Sequence, residues 1–153
     1  MTLSIDTLVA CTRDVFQKMV SRELTFGGPI EGNPPRPKAN VVGTVGFAGV
    51  ESGLVAFYST LDGAREIAGA MLGIAPAEVN GDMPDAIGEI SNMIAGAFRT
   101  KMTEQGYPWV ISIPTVIIGS DFYTRYPSDV RRVLCPFRMG DEEIFVELIL
   151  MRH

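Results

Sequence analysis

Pro84-Asp85-Ala86-Ile87-Gly88-Glu89-Ile90-Ser91-Asn92-Met93-Ile94-Ala95-Gly96-Ala97-Phe98-Arg99 carries two patterns at once. Successive side chains on a helix are about 100° apart. Ile87, Ile90, Ile94 and Phe98 therefore fall on one face, and Asp85, Glu89, Asn92, Gly96 and Arg99 on the opposite one. The spacing predicts a helix from about Pro84 to Gln105. Asp82 stands where an N-cap is expected, and Pro84 lies in the first turn, where its missing N–H costs nothing. Gly106 and Pro108 supply the stop. A stripe of four large apolar side chains has to be covered by another layer, so the rest of the chain must provide a sheet or further helices.

Working outward, the N-terminal side offers a second helix, Asp6 to Glu23, on Leu8, Cys11, Val15, Met19 and Val20, with Ser4 or Asp6 as its cap. Gly27-Gly28-Pro29 and Asn33-Pro34-Pro35-Arg36-Pro37 then read as a loop too poor in N–H donors for a central strand. Asn40 to Val50 and Leu54 to Ser59 form a hairpin about Glu51-Ser52-Gly53. Leu61 to Leu72 is a short helix stopped by Gly73, with one further turn at Pro76 to Val79. On the other side, Trp109 to Ile118 is extended but broken by Pro114, Gly119 to Ser128 is loop, and Val130 to Met139 pairs with Glu143 to Met151 around Gly140-Asp141. Helix, extended segment with a proline, loop and hairpin thus occur in residues 5–59 and again in 85–151, shifted by roughly 85 residues. The fold expected is α+β: an antiparallel sheet with helices packed on one face and a pseudo-twofold repeat, in a single domain over residues 1–153.

Composition limits the chemistry. The 153 residues include one histidine, His153, and two cysteines, Cys11 and Cys135, far apart. A His-dependent triad, a Cys–His pair and a Cys/His zinc site are excluded on that count, and no metal of the chain's own is expected. The net charge of −5 argues against a nucleic-acid or anionic-membrane surface. The basic stretch Arg125 to Arg138 includes Asp129 and reads as strand and loop with solvated charges. No run of 18 apolar residues exists to span a membrane. Leu8-Val9-Ala10-Cys11 is like a lipoprotein cleavage box, but Asp6 sits where an apolar leader would be, so the expected setting is cytoplasmic, with reduced thiols. Met83, Met93, Met102, Tyr107 and Trp109 read as packing residues. Gly43, Gly46 and Gly49 read as close packing or a bulge in a strand, not as a phosphate loop, because no helix follows them directly.

The polar stripe is not what simple solvation would select. Asp85 and Glu89 are like charges one turn apart, costing a few tenths of a kcal/mol. Asn92 in mid-helix costs roughly half a kcal/mol against alanine, and Gly96 about 1 kcal/mol. Most polar helix faces are only solvated, and Glu and Asn are ordinary there; against that reading, three penalties on one stripe suggest a contact face on Asp85, Glu89, Asn92, Gly96 and Arg99, with Gly96 leaving room for another chain's backbone.

Asp85-x-x-x-Glu89-x-x-Asn92 within Asp85-Ala-Ile-Gly-Glu-Ile-Ser-Asn-Met-Ile-Ala-Gly96 resembles the signature helix of the CheC/CheX chemotaxis phosphatases. Pro114 falls within a residue or so of that family's proline, and Val42-Gly43-Thr44-Val45-Gly46-Phe47-Ala48-Gly49 followed by Gly53-Leu54-Val55 is similar to its first hairpin. The resemblance implies a phosphatase for the aspartyl phosphate of a CheY-like response regulator. Asn92 would orient the attacking water, Glu89 would pair with the regulator's lysine, and the Mg²⁺ would be the regulator's. The first helix has no Glu-x-x-Asn, which is similar to the CheX branch and implies a homodimer joined through its sheets. The alternative is a CheX-like module that binds or sequesters a regulator without hydrolysis, against which the retained Glu89 and Asn92 pair argues. A structural part of a flagellar switch would be expected to come with additional domains, and none fit in this length.

Overall fold

Helix α1 (Ile5–Met19) buries Leu8, Val9, Cys11, Val15 and Phe16. It is shorter than its periodicity suggests. Ser21 takes a positive φ of 56°, and the N–H groups of Val20 and Arg22 both turn back to the Phe16 carbonyl, which closes the helix before Glu23. The computed structural model describes residues 5–127 and 129–152; Ser4, Ser128 and His153 lie outside the described residues.

Among the described residues the elements that follow are β1 (Thr25–Phe26), β2 (Ala39–Ala48), β3 (Gly53–Ser59), α2 (Leu61–Leu72), a 3-10 turn (Pro76–Glu78), α3 (Met83–Glu104), β4 (Val110–Ile111), β5 (Thr115–Phe122), β6 (Val130–Met139) and β7 (Glu142–Met151). Glycine ends α2 as expected: Gly73 is left-handed at φ 73°, and its N–H bonds to the Gly69 carbonyl. The segment expected to be loop from Gly119 begins as strand, since β5 runs on to Phe122.

The strands form one antiparallel sheet in the order β1-β6-β7-β3-β2-β4, with β5 also on β2. The register shows the repeat. The hairpins β2–β3 and β6–β7 meet at the centre, where Val55 faces Leu148. Each half then lends its first extended segment to the other half: β1 pairs with β6, while β4 and β5 pair with β2. The strand Ile144–Met151, a hazard had it been an open edge, is interior.

The two edges differ for a chemical reason. β1 makes two pairs with β6, and beyond it only Ile30 bridges Leu134. Pro136 accepts from Gly27 N–H on that side and has no N–H to return, and the prolines at 29, 34, 35 and 37 lack donors too. β5 carries no such block. Its outer edge is unpaired among the described residues, and Ile117 and Ile118 on it are exposed.

All three helices lie on one face of the sheet. Leu8, Phe16, Ile67, Ile87, Ile94 and Phe98 form one core with Val41, Val45, Phe57, Phe137, Val146 and Leu148. The other face carries a smaller cluster of Val42, Ala56, Tyr58 and Ile149 with Phe122, Tyr126 and Phe145. Here the reading of Arg125–Arg138 as solvated charge needs correcting. Arg132 is 11% exposed and donates from Nε to Glu147, whose side chain is 0% exposed, at 2.7 Å. It also donates to the carbonyls of Pro34 and Pro35. Tyr58 donates its hydroxyl to Glu147 at 2.5 Å and contacts the hydroxyls of Thr124 and Tyr126. One buried carboxylate thereby fastens both loops that cover this face. Burial pushes the Glu147 carboxyl above the usual range, while Tyr58 and Arg132 pull it back.

Candidate functional site on helix α3

The site is built on 22 helical residues whose apolar stripe is fixed in the core. Ile87, Ile90, Ile94, Phe98 and Met102 are each 0% exposed, and Trp109 closes the C-terminal end by stacking on Phe47 with Phe98 edge-on. Gly106, at φ 92°, turns the chain out of the helix, and Tyr107 N–H returns to the Met102 carbonyl. At the other end Asp82 occupies the N-cap position but makes no cap with its side chain. Its backbone is already helical (φ −81°, ψ −11°), whereas a capping side chain reaches the next turn from an extended backbone. Pro84 lies in the first turn, as expected.

The opposite stripe is arranged as the sequence spacing requires. Asp85, Glu89 and Arg99 are exposed, and Asn92 and Gly96 are half-buried. At about 1.5 Å per residue, the stripe is roughly 20 Å long and the Glu89 and Asn92 backbones are about 4.5 Å apart along the axis. Among the described residues, the side chains of Asp85, Glu89, Asn92 and Arg99 have no hydrogen-bond or ion-pair partner. A Cβ at Gly96 would meet nothing within 4 Å, so internal packing does not require glycine there. The face therefore presents an unpaired carboxylate and an unpaired carboxamide, one turn apart, on a rigid support. Among the described residues no group of three His, Cys, Asp or Glu side chains is placed to hold a metal ion.

The corresponding helix of the first half lacks these groups. Thr12 Oγ1 donates to the Leu8 carbonyl at 2.9 Å, and Ser91 Oγ donates to the Ile87 carbonyl at 2.8 Å, each buried. Matching residue 12 to residue 91 gives an offset of 79 and puts Ala10 and Arg13 where Glu89 and Asn92 stand. A recess of about 770 Å³ runs beside this helix, lined by Asp6, Arg13, Gln17, Glu23 and Phe26 among others. Its guanidinium is engaged, since Arg13 Nε donates to the Leu24 carbonyl. The cysteines are inert by position. Both are buried and free, and burial raises the Cys11 thiol and pushes Cys135 up to about 12.

The sequence profile of the family described as Chemotaxis phosphatase CheX matches residues 41–138, a span that holds all of α3 and Pro114. The chain belongs to the CheX family. A search of curated protein sequences returned no match. Among solved structures, the chemotaxis protein CheX from Desulfovibrio desulfuricans is 27% identical at a TM-score of 0.86, over 95% of this chain and 97% of that one. CheX from Vibrio vulnificus is 25% identical at a TM-score of 0.87, over 95% and 97%. The same fold, at 21% identity and a TM-score of 0.78 over 99% and 100%, occurs in the CheX–CheY–BeF3–Mg²⁺ complex from Borrelia burgdorferi.

The stripe expected from the sequence lies on the side of α3 away from the core, but the sequence did not show what holds α3 at its height above the sheet. Gly88 packs toward Pro114 and Val116, and Ser91 packs onto Gly43. Gly43 had a signal, a glycine inside an apolar strand, but the neighbour that needs the space is about 48 residues away in sequence and not readable from it.

Proposed function

We propose that this CheX-family chain hydrolyses the aspartyl phosphate of a CheY-like response regulator by inserting the exposed face of α3 into the regulator's active site. The observation that carries the proposal is the pair Glu89 and Asn92. They lie one turn apart, without side-chain partners among the described residues, on a helix whose opposite stripe is fully buried.

The chemistry suits these residue types. Phosphoryl transfer passes through a loose transition state that needs positioning and charge stabilisation more than covalent help. The Asn92 carboxamide, half-buried and so restricted in motion, holds the attacking water in line with the phosphorus. A carboxamide does this at any physiological pH, which fits a chain whose composition offers one histidine. The exposed Glu89 carboxylate pairs with the regulator's lysine and sets the register of docking. Asp85 and Arg99 extend the contact along the helix, and the open space over Gly96 admits the partner's backbone. Neutralisation of the developing charge is supplied by the Mg²⁺ of the regulator. The Borrelia burgdorferi CheX, which shares this fold, is seen in a complex with CheY, BeF3 and Mg²⁺, and a partner of that kind is the one proposed here. We place the chain in the cytoplasm with its regulator, and as a homodimer that pairs the open edge of β5 with a second copy.

The test is to phosphorylate a CheY-like receiver domain with a small phosphodonor and follow phosphate release with and without the chain. Acceleration by the wild-type chain, lost in part when Glu89→Ala weakens docking, is the expected result. A receiver that binds while its phosphate persists would refute hydrolysis and establish sequestration instead.

A further inference from the structure

Glu89 and Asn92 are each preceded by a small buried residue, Gly88 and Ser91, and both small residues face the sheet. The tighter of the two contacts is at Ser91. A methyl group at Gly43 would overlap Ser91 Oγ, lie 3.0 Å from Ser91 Cβ and 3.5 Å from Ile87 Cγ2. The first contact is impossible, and the second is tight enough that a neighbour has to give by a few tenths of an ångström.

Neither partner can step aside. Gly43 is paired on both sides, to Phe57 of β3 and to Val116 of β5, so the sheet cannot recede beneath it. Turning the Ser91 hydroxyl away would give up its bond to the Ile87 carbonyl and still leave Cβ in the way. The compliant element is α3, whose far side meets no sheet.

Resting on the phosphatase reading above, we propose that Gly43 is a positioning residue for it. The missing side chain lets α3 seat on Ser91, and this contact sets how far Asn92 and Glu89 reach into the regulator. Gly43 touches neither water nor regulator and acts through Ser91, the residue next to Asn92. Restoring a methyl moves the helix outward by a few tenths of an ångström, and displacements on the order of 1 Å at a positioned group cost up to about 100-fold in rate. About a tenfold loss in the maximal rate of phosphate release is expected for Gly43→Ala, with little change in the chain concentration giving half that rate. Gly43→Ala/Ser91→Gly removes the overlap and is expected to fold and to recover most of the rate. Because Gly43 acts by placing Asn92, Gly43→Ala should cost little further in an Asn92→Ala background, whereas a general loss of structure would multiply with it.

The experiment is that set of four variants, assayed for phosphate release from a phosphorylated receiver well below each melting temperature, with a crystal structure of Gly43→Ala or, should that not fold, of the double variant. Support consists of the tenfold loss, its recovery in the double variant, its absence beside Asn92→Ala, and α3 displaced in the Gly43→Ala crystal. A folded Gly43→Ala with the wild-type rate, multiplicative losses, or a double variant that fails to fold or work would overturn the positioning role. A wild-type chain that never accelerates release overturns the phosphatase reading itself, and the position of α3 in the crystal still decides whether Gly43 sets its height.

Discussion

Replacing Arg132 by methionine tests the polar network beneath the two loops. The substitution keeps the length and apolar stem of the side chain but removes both donors from Glu147, 2.6 and 2.7 Å away, and both bonds to Pro34 and Pro35. Glu147 is 0% exposed, and among the described residues Tyr58 remains its one side-chain donor. Breaking a buried ion pair from one side costs about 3–5 kcal/mol. At about 2–4 °C per kcal/mol for a chain of this size, the melting temperature should fall by roughly 6–20 °C. The pH dependence has a definite sign. Burial already raises the Glu147 carboxyl, and loss of Arg132 raises it further, so its folded-state value exceeds its unfolded one. The folded variant then holds the proton more tightly. Its stability is greatest below the usual glutamate range and declines as pH rises through the folded-state value. The deficit should therefore be smaller at about pH 5 than at about pH 8. Urea unfolding followed by the fluorescence of the single, buried Trp109 measures both. Arg132→Met/Glu147→Leu should return close to wild type and lose the pH dependence. A deficit under about 1 kcal/mol, or one equal at both pH values, would refute the view that this pair is a paired buried charge. Phosphate release should be unaffected in the folded variant, because the network lies on the sheet face opposite α3.

Other consequences are simpler to check. Cys11 and Cys135 should resist a thiol-alkylating reagent at pH 8 in the native chain and react readily in urea, since burial raises both and puts Cys135 near 12; mass spectrometry reads the difference. Ile117→Lys puts a charge on the exposed face of β5, and in sedimentation it should convert a dimer to a monomer without lowering the melting temperature by more than a few degrees. A wild-type chain that sediments as a monomer would contradict the proposed pairing of β5.

How much of this was legible from sequence depends on the range of the physics involved. The α3 stripe is local: a period of 3.6 residues places Ile87, Ile90, Ile94 and Phe98 on one side and Glu89 and Asn92 on the other, and the structure has the first set buried and the second unpaired among the described residues. Gly73 and Gly106 mark helix ends because a left-handed residue is needed there, which is also local. Asp82 does occupy the N-cap position that its residue type suggests, but its side chain makes no cap, because the backbone there is already helical. What the sequence could not show is non-local. The exchange of β1 and β5 between halves follows from which edges the hairpins leave open. The carboxylate of Glu147 sits in an otherwise apolar strand because Arg132, Tyr58 and the proline-rich loop, all distant in sequence, close around it. The space left at Gly43 is taken up by Ser91, about 48 residues away, a contact no local pattern encodes.

The central claim is that Asn92 positions water for attack on a phosphoryl group held by another protein. It is tested most directly by the single-turnover rate of phosphate release from a phosphorylated CheY-like receiver at saturating Asn92→Ala. Asn92 is half-buried but has no hydrogen-bond partner among the described residues, so the substitution breaks no internal hydrogen bond. The account expects a fall on the order of 100-fold or more, as for other positioned catalytic amides, with melting temperature and receiver binding unchanged. A rate equal to wild type would contradict it.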